Sequence, residues 1–265
     1  RNSSIFVVCC FSTSIKIQKY VICMVSKSQI KLVRQLGQKK HRDQHQLFVA
    51  EGLKVIREFI DENYQLHQLY ALDERHFPSQ KVSLVNQTQM KAMSDLKTPS
   101  DALAVFAMPK TQTPSQPDVV LALESIQDPG NLGTIIRLCD WFGIQDIICS
   151  SDTVDCYNPK VVRSTMGSLA RVQVLYKDLE SWLMGLKNYE IVATSMTGQS
   201  IYEHSFDTPT VLLIGNEGRG LSKQLTALSN KTLSIPRFGG AESLNAAMAT
   251  GIILAEARRN TSTEK

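Results

Sequence analysis

The chain has 265 residues, of which 43% are hydrophobic and 20% charged, so it carries enough apolar material for one or two folded domains. The net charge of +4 permits a polyanionic partner without requiring one. No apolar run reaches the roughly 18 residues of a membrane-spanning helix. The six cysteines form no CxxC pair, which argues against a zinc site and favours reduced thiols in a cytoplasmic protein.

The first 23 residues differ from the rest of the chain. They begin with Arg1 rather than Met and contain one short apolar run, Ile5–Phe11. A degraded signal peptide is one interpretation. We prefer the other, in which Met24 is the natural start and residues 1–23 are a non-native or disordered extension, and we exclude this segment from the prediction of the fold.

Residues 25–107 predict a small mixed α/β domain. Ser26 is a candidate N-cap for a first helix, and the segments LFVAEG, LHQLYAL, VSLVN and ALAVFAM are typical of strands, with an amphipathic helix at GLKVIREFIDE. Positions 27 to 42 hold six Lys or Arg and no acid. Such a run is usually a solvated helix face, but the next helix mixes both signs of charge. We therefore keep a nucleic-acid contact as an equal alternative.

A proline-rich segment, residues 108–117, is predicted to be a linker to a larger domain at 118–260. In the larger domain, continuous apolar strands alternate with helices, which indicates a mostly parallel sheet covered on both faces. Ligands bind such sheets at the carboxyl ends of the strands. The loops after Leu123, Met196, Ile214 and Ile235 are therefore the places where a site is expected.

The first of three motifs is ESIQDPGNLGTIIRLCDWFG. Asn131 is predicted to cap the helix, and Arg137 shares a helical face with Gly133 and Thr134. Gly133 costs helix stability, about 1 kcal/mol relative to alanine, so we expect it to leave room beside the guanidinium. The alternative is that Arg137 only pairs with Asp140 on the surface.

The second motif, LLIGNEGRGLS, runs from a buried strand into a glycine-rich turn. No Gly-Lys-Ser/Thr follows, and the spacing is not GxGxxG, which argues against nucleoside triphosphates and dinucleotides. Glu217 in this turn is a candidate for pairing with a cation or accepting hydrogen bonds. The alternative is a tight turn that happens to be polar.

The third motif, LSIPRFGGAESLNAAMATGIILAEARR, ends a strand at Ile235-Pro236 and starts a helix near Ser243 and Asn245. The helix is rich in small residues, which permit close approach of neighbouring backbone. Its N-terminal N–H groups favour a carboxylate or another polar ligand. The alternative is a plain core helix with a serine cap.

The order and spacing of the three motifs resemble the SpoU (TrmH) family of RNA ribose 2′-O-methyltransferases, in the SPOUT superfamily. The resemblance covers about residues 118–259 and includes NLGTIIR, IGNEGRGLS and SIPRFGGAESLNAAMATGIILAEA. The N-terminal part resembles, more loosely, the RNA substrate-binding domain of the family.

The resemblance implies an α/β fold whose C-terminal segment forms a deep trefoil knot, and a homodimer in which each site is completed by the partner chain. It also implies S-adenosyl-L-methionine as cofactor, with no metal. It implies a catalytic role for Arg137, with Asn131, Glu217, Ser243 and Asn245 orienting the reacting groups. The residues that it implies for cofactor binding are Thr194, Ile214, Gly215, Gly220, Ile235, Leu244 and Ala246.

An RNA enzyme also needs phosphate contacts for positioning. With the resemblance, the basic N-terminal segment becomes the predicted RNA-binding surface, with contacts at Lys31, Arg34, Lys39, Lys40 and Arg42. The extra domain resembles that of ribosomal RNA enzymes, so 23S-type ribosomal RNA is the predicted substrate. The alternatives are a tRNA 2′-O-methyltransferase, a catalytically silent RNA-binding protein of this fold, and an unrelated small-molecule enzyme with a nucleotide cofactor.

Overall fold

The structure, a computed structural model, describes residues 25–110 and 118–259. The predicted extension at 1–23 and most of the predicted linker lie outside the described residues. The described part contains two sheets, one on each side of the segment predicted as a linker.

The N-terminal part is a four-stranded mixed sheet with helices on both faces. Its strands, in the spatial order β1-β4-β2-β3, are β1 (Leu47–Glu51), β2 (Leu66–Ala71), β3 (Ser83–Leu84) and β4 (Ala102–Ala107). Its helices are α1 (Lys27–Gln35), α2 (Lys39–His45), α3 (Leu53–Asp61) and α4 (Gln87–Met93). Ser26 caps α1 as predicted, through a capping box with Gln29.

The C-terminal part is a six-stranded sheet in which every neighbouring pair of strands is parallel. Its strands, in the spatial order β10-β8-β9-β5-β6-β7, are β5 (Val119–Leu123), β6 (Asp146–Cys149), β7 (Gln173–Tyr176), β8 (Glu190–Ser200), β9 (Thr210–Ile214) and β10 (Lys231–Ser234). Its helices are α5 (Pro129–Trp141), α6 (Pro159–Ser164), α7 (Leu179–Met184), α8 (Lys223–Ala227) and α9 (Ala246–Ala257). The predicted α/β fold with a parallel sheet and a smaller N-terminal domain is confirmed.

The strands of the large sheet are apolar on both faces because helices cover both. Leu121 and Leu212 face a core that also includes residues of α5, α6 and α9. Their strand neighbours Val120 and Val211 face a second core that contains α7 and α8 residues. The first core continues into the N-terminal part through Phe48, so the two parts share buried apolar surface.

Several predicted boundaries change. The sequence pattern of residues 158–172 favours one helix, but the structure has only α6 followed by a short 3-10 turn at Ser168–Ala170. Met166 and Gly167 interrupt the helix in left-handed conformations, at φ +54° and +106°. Strand β8 continues beyond Met196 to Ser200, but its pairing with β10 shifts register between Ala193 and Gln199. The intervening residues 195–198 are exposed at the sheet edge where a site is expected.

The predicted RNA contact at Arg42 is wrong. The Arg42 side chain is 2% exposed, and its guanidinium bonds Asp155 of the C-terminal part at 2.5 Å. It also donates to the carbonyl oxygens of Leu36 and Gly37, at 2.8 and 2.9 Å, where α1 ends. A run of basic residues in the sequence does not show which of its side chains is buried, because burial depends on the fold. Arg42 therefore joins the two parts of the protein.

Candidate active site

The first motif begins at the carboxyl end of β5, and its helix is capped differently from the prediction. The Asp128 side chain, not that of Asn131, is the N-cap of α5 and accepts a hydrogen bond from the Asn131 N–H at 2.8 Å. Asn131 thus occupies the third helical position, and its amide side chain is free to bond elsewhere.

Asn131 joins the three motifs through a relay of side-chain hydrogen bonds. Its Nδ2 donates to Oε1 of Glu217 in the second motif. Its Oδ1 accepts from Nδ2 of Asn245 in the third motif, at 2.9 Å. The Asn245 Oδ1 in turn caps α9 by accepting from the backbone N–H groups of Ala247 and Met248. Three predicted site residues, far apart in sequence, therefore lie in one cluster.

The turn that carries Glu217 is fixed by its neighbour Asn216. The Asn216 Oδ1 accepts from the N–H groups of Gly218 and Arg219, and its Nδ2 donates to the Ser125 carbonyl at 2.9 Å. These bonds hold the turn closed and tie it to the first motif. The Glu217 carboxylate therefore has a defined position.

The absence of a side chain at Gly215 is required by the turn itself. A Cβ atom there would lie 2.3 Å from the carbonyl carbon of Gly220 and 2.4 Å from the Leu221 nitrogen. The backbone that lies close to Gly215 is thus that of Gly220 and Leu221 in the same turn. Gly220 has φ +67°, and a Cβ atom added to it would meet no described atom within 4 Å, so its face is open.

A polar cluster that supports the site was not found from the sequence. Glu124 accepts a hydrogen bond from the Ser222 N–H at 2.7 Å. Ser125, at φ +57°, donates its hydroxyl to Asp152 and its N–H to the Ser150 hydroxyl. The available signal was position, because Glu124 and Ser125 come directly after a buried parallel strand.

Arg137 is exposed on α5 and makes no hydrogen bond or ion pair with any residue that the structure describes. The alternative that it pairs with Asp140 is wrong, because both Asp140 oxygens are held by Arg171. The room left by Gly133 is filled by α6, since a Cβ on Gly133 would lie 2.3 Å from the Ser164 Cβ. The room expected at Gly133 is thus present, and the chain that approaches there is α6 of the protein itself.

The residues predicted to bind cofactor lie mostly at the carboxyl ends of three adjacent strands. The paired parts of three strands, β8, β9 and β10, end at or just before these residues, which are Thr194, Ile214–Gly215 and Ile235 in that order. The Thr194 hydroxyl donates to the Leu213 carbonyl at 2.8 Å, so this side chain is already bonded. Leu244 is 47% exposed, and Ala246 is buried in the first core.

The loop from residue 237 to 245 is exposed throughout, and it contains Ser243. The Ser243 hydroxyl has no hydrogen-bond partner among the described residues. The structure thus brings Asn131, Glu217 and Asn245 into contact but does not join Ser243 to them.

Within the described ranges no group of three His, Cys, Asp or Glu side chains is arranged to hold a metal ion. In the same ranges no helix has the length and apolar character to cross a membrane. The described cysteines, Cys139, Cys149 and Cys156, are buried free thiols.

Comparison with known families agrees with the three motifs. The model of the SpoU rRNA Methylase family matches residues 118–255, which is more than half of the chain. The chain belongs to the SpoU rRNA methylase family. A second model, the MRM3-like substrate binding domain, matches residues 27–104.

Relatives of this SpoU protein align over most of their length. The 23S rRNA (guanosine(2553)-2′-O)-methyltransferase RlmP of Bacillus subtilis is 29% identical, over 85% of this chain and 94% of the relative. The AdoMet-bound rRNA methyltransferase of Sinorhizobium meliloti is 32% identical with a TM-score of 0.80, covering 88% of this chain and 95% of that structure. The AdoMet complex of AviRb from Streptomyces viridochromogenes is 27% identical with a TM-score of 0.78, covering 88% and 98%.

Proposed function

We propose that this protein methylates a ribose 2′-hydroxyl of 23S-type ribosomal RNA, using S-adenosyl-L-methionine. The observation that carries the proposal is the Arg137 guanidinium, which is exposed and has no partner among the described residues, on the helix whose start holds the Asn245–Asn131–Glu217 relay. The relative RlmP, a 23S rRNA 2′-O-methyltransferase that aligns over 85% of the chain, supports the same reaction.

The residues present fit the cofactor in their chemistry. Ile235 and Leu244 offer apolar surface at one edge of the sheet, and the exposed residues 237–245 offer polar groups. Ile214 lies buried at the end of β9. Pockets of this mixed character suit an adenosyl group. We assign cofactor binding to these residues with Thr194, Gly215, Gly220 and Ala246. When bound, the cofactor supplies the methyl group.

The chemistry of the 2′-hydroxyl assigns a role to Arg137. This hydroxyl must lose a proton as it attacks, and negative charge grows on its oxygen. A guanidinium remains charged in proteins, so Arg137 acts by stabilising the alkoxide and gripping a phosphate rather than as a free base. The relay fixes Asn131 and Glu217 beside the start of the same helix, and we place Ser243 in the site on the resemblance alone.

The RNA-binding surface is proposed on α1 and the start of α2. Lys27, Lys31 and Arg34 are exposed at i, i+4 and i+7, so they form a single basic stripe along α1. Lys39 lies 5.6 Å from the Tyr176 ring centroid of the C-terminal part, and Lys40 is exposed. With Arg42 excluded, the proposed contacts are Lys31, Arg34, Lys39 and Lys40.

A homodimer is proposed from the outer face of two neighbouring helices. Trp141 on α5 is 82% exposed and Met248 on α9 is 62% exposed. Helix α9 is apolar around most of its circumference, and Met248 and Ala255 are exposed on it. A helix of this composition is normally covered on all sides, which supports a second copy packed against α5 and α9.

The trefoil knot is part of the proposal. Strand β10 lies at one edge of the sheet, yet α9 packs on α5 and its cap bonds Asn131. The chain therefore crosses the ends of β8 and β9 to reach α5, a path that supports a threaded segment. The buried reduced cysteines support a cytoplasmic location.

Methyl transfer with labelled cofactor tests this function. The purified protein is incubated with ribosomal and transfer RNA fractions from cells that lack the gene, and with assembled large ribosomal subunits. We expect label in a 2′-O-methyl nucleoside from ribosomal RNA or the subunit. Label only in transfer RNA would favour the tRNA alternative. Cofactor binding without transfer to any substrate would favour a silent RNA-binding protein.

A further inference from the structure

Arg171 joins helix α5 to the N-terminal part of the protein. The Arg171 guanidinium bonds both oxygens of Asp140, at 2.8 to 3.2 Å, and Oε2 of Glu58 at 2.6 Å. Glu62 lies at 3.5 Å from the same group. Arg171 therefore contacts three carboxylates, one on α5 and two in or next to α3.

Asp140 lies three residues after Arg137, which is the spacing of neighbouring side chains on a helix. In an isolated helix, residues at this spacing are close enough to form an ion pair. The structure has Asp140 turned to Arg171 instead, with its side chain 22% exposed. Burial raises the pKa of Asp140, but hydrogen bonds from Arg171 and Ser168 and the Arg171 charge outweigh it, so the pKa lies below its usual value.

We propose that Arg171 is a positioning residue for methyl transfer, which occupies Asp140 and so leaves the Arg137 guanidinium free for RNA. The inference rests on the proposed role of Arg137. Without Arg171, Asp140 keeps its charge and has a flexible cation one helical turn away. Asp140 and the substrate then compete for the Arg137 guanidinium.

The decisive experiment is a second-site rescue. The Arg171→Gln variant is expected to lose about two- to fivefold in the single-turnover rate of methyl transfer, the range of a partly exposed ion pair. Adding Asp140→Asn removes the competing carboxylate, and the double variant is expected to regain the rate of Asp140→Asn alone. If the Arg171–Asp140 contact only holds the fold together, no rescue is expected, because Arg171→Gln has already removed that contact.

A matched control separates this effect from the bridge between the two parts. Glu58→Gln with Glu62→Gln removes the N-terminal partners of Arg171 but leaves its bonds to Asp140. This variant is expected to react at nearly the wild-type rate. An equal loss in this variant, or a wild-type rate in Arg171→Gln, would overturn the inference. Thermal unfolding of each variant identifies any general loss of folding.

A second readout does not depend on activity. Carbon NMR titration of the Asp140 carboxyl group reports its partner directly. In Arg171→Gln, its pKa is expected to stay low and to rise when Arg137→Gln is added. No rise on removing Arg137 would contradict the inference. A failure of wild-type methyl transfer would instead contradict the proposed function, so the two failures are distinguishable.

Discussion

Asn245 donates a hydrogen bond from Nδ2 to Oδ1 of Asn131 at 2.9 Å, although 114 positions separate them along the chain. The contact joins the first turn of α5 to the N-cap of α9. One amide therefore performs two tasks, since its oxygen caps a helix while its nitrogen positions Asn131. The two tasks can be separated by substitution.

Replacing Asn245 by Asp keeps an N-cap acceptor but removes the donor to Asn131. We expect stability within a few tenths of a kcal/mol of wild type, and methyl transfer reduced on the order of ten- to hundredfold because the relay is misplaced. Asn245→Ala, as the control, also loses about 1 kcal/mol of stability. Urea unfolding and single-turnover kinetics measure the two effects. Full activity in Asn245→Asp would show that the contact is not needed.

Arg42 is expected to affect stability and not RNA binding directly. Its removal leaves Asp155 with a side chain only 13% exposed and no cation, which costs about 3–5 kcal/mol. Arg42→Ala should thus lower the melting temperature by roughly 10 °C, while Arg34→Ala on the same surface should not change it. A stable Arg42→Ala protein with weakened RNA binding would instead make Arg42 an RNA contact.

The basic stripe predicts a salt-dependent effect on RNA affinity. Changing Lys31, Arg34 and Lys40 to Gln should reduce the slope of log K against log salt by roughly 0.7–0.9 for each lost phosphate contact. Lys54→Gln on α3 is the control, because Lys54 is exposed on another helix. Filter binding over a range of salt concentrations gives the slopes. An unchanged slope in the triple variant would leave the stripe as an ordinary solvated helix face.

The proposed dimer predicts that negative charges introduced on the outer faces of α5 and α9 prevent dimerisation. Trp141→Glu with Met248→Glu should give a monomer in sedimentation equilibrium and strongly reduce methyl transfer, because the resemblance implies that each site is completed by the partner chain. Met184→Glu changes another exposed apolar side chain, 63% exposed on α7, and should leave the dimer intact. A monomeric wild-type protein would contradict the proposal.

The fold was largely predictable because its signals are local. Apolar strands, polar loops and helix patterns are read from neighbouring residues, and the parallel sheet follows from their alternation. Because the three motifs follow parallel strands, the sequence also predicts that Asn131, Glu217 and Asn245 lie at one edge of the sheet.

The features that could not be predicted from the sequence depend on contacts between residues that lie far apart along the chain. Asn131 and Asp128 are both good capping residues, and only the geometry of α5 shows that Asp128 caps. Gly133 indicated a close approach, but not that α6 makes it. The pairing of Asp140 with Arg171 spans 31 positions, so the local alternative with Arg137 was equally compatible with the sequence.

The central claim is that Arg137 acts in the reaction and not in folding or cofactor binding. It is tested most directly by the single-turnover rate of Arg137→Ala, measured beside its affinity for S-adenosylmethionine. We predict a loss on the order of a hundredfold or more in rate, with cofactor affinity and melting temperature unchanged, because the side chain is exposed and unpaired among the described residues. Wild-type turnover by Arg137→Ala would contradict the account.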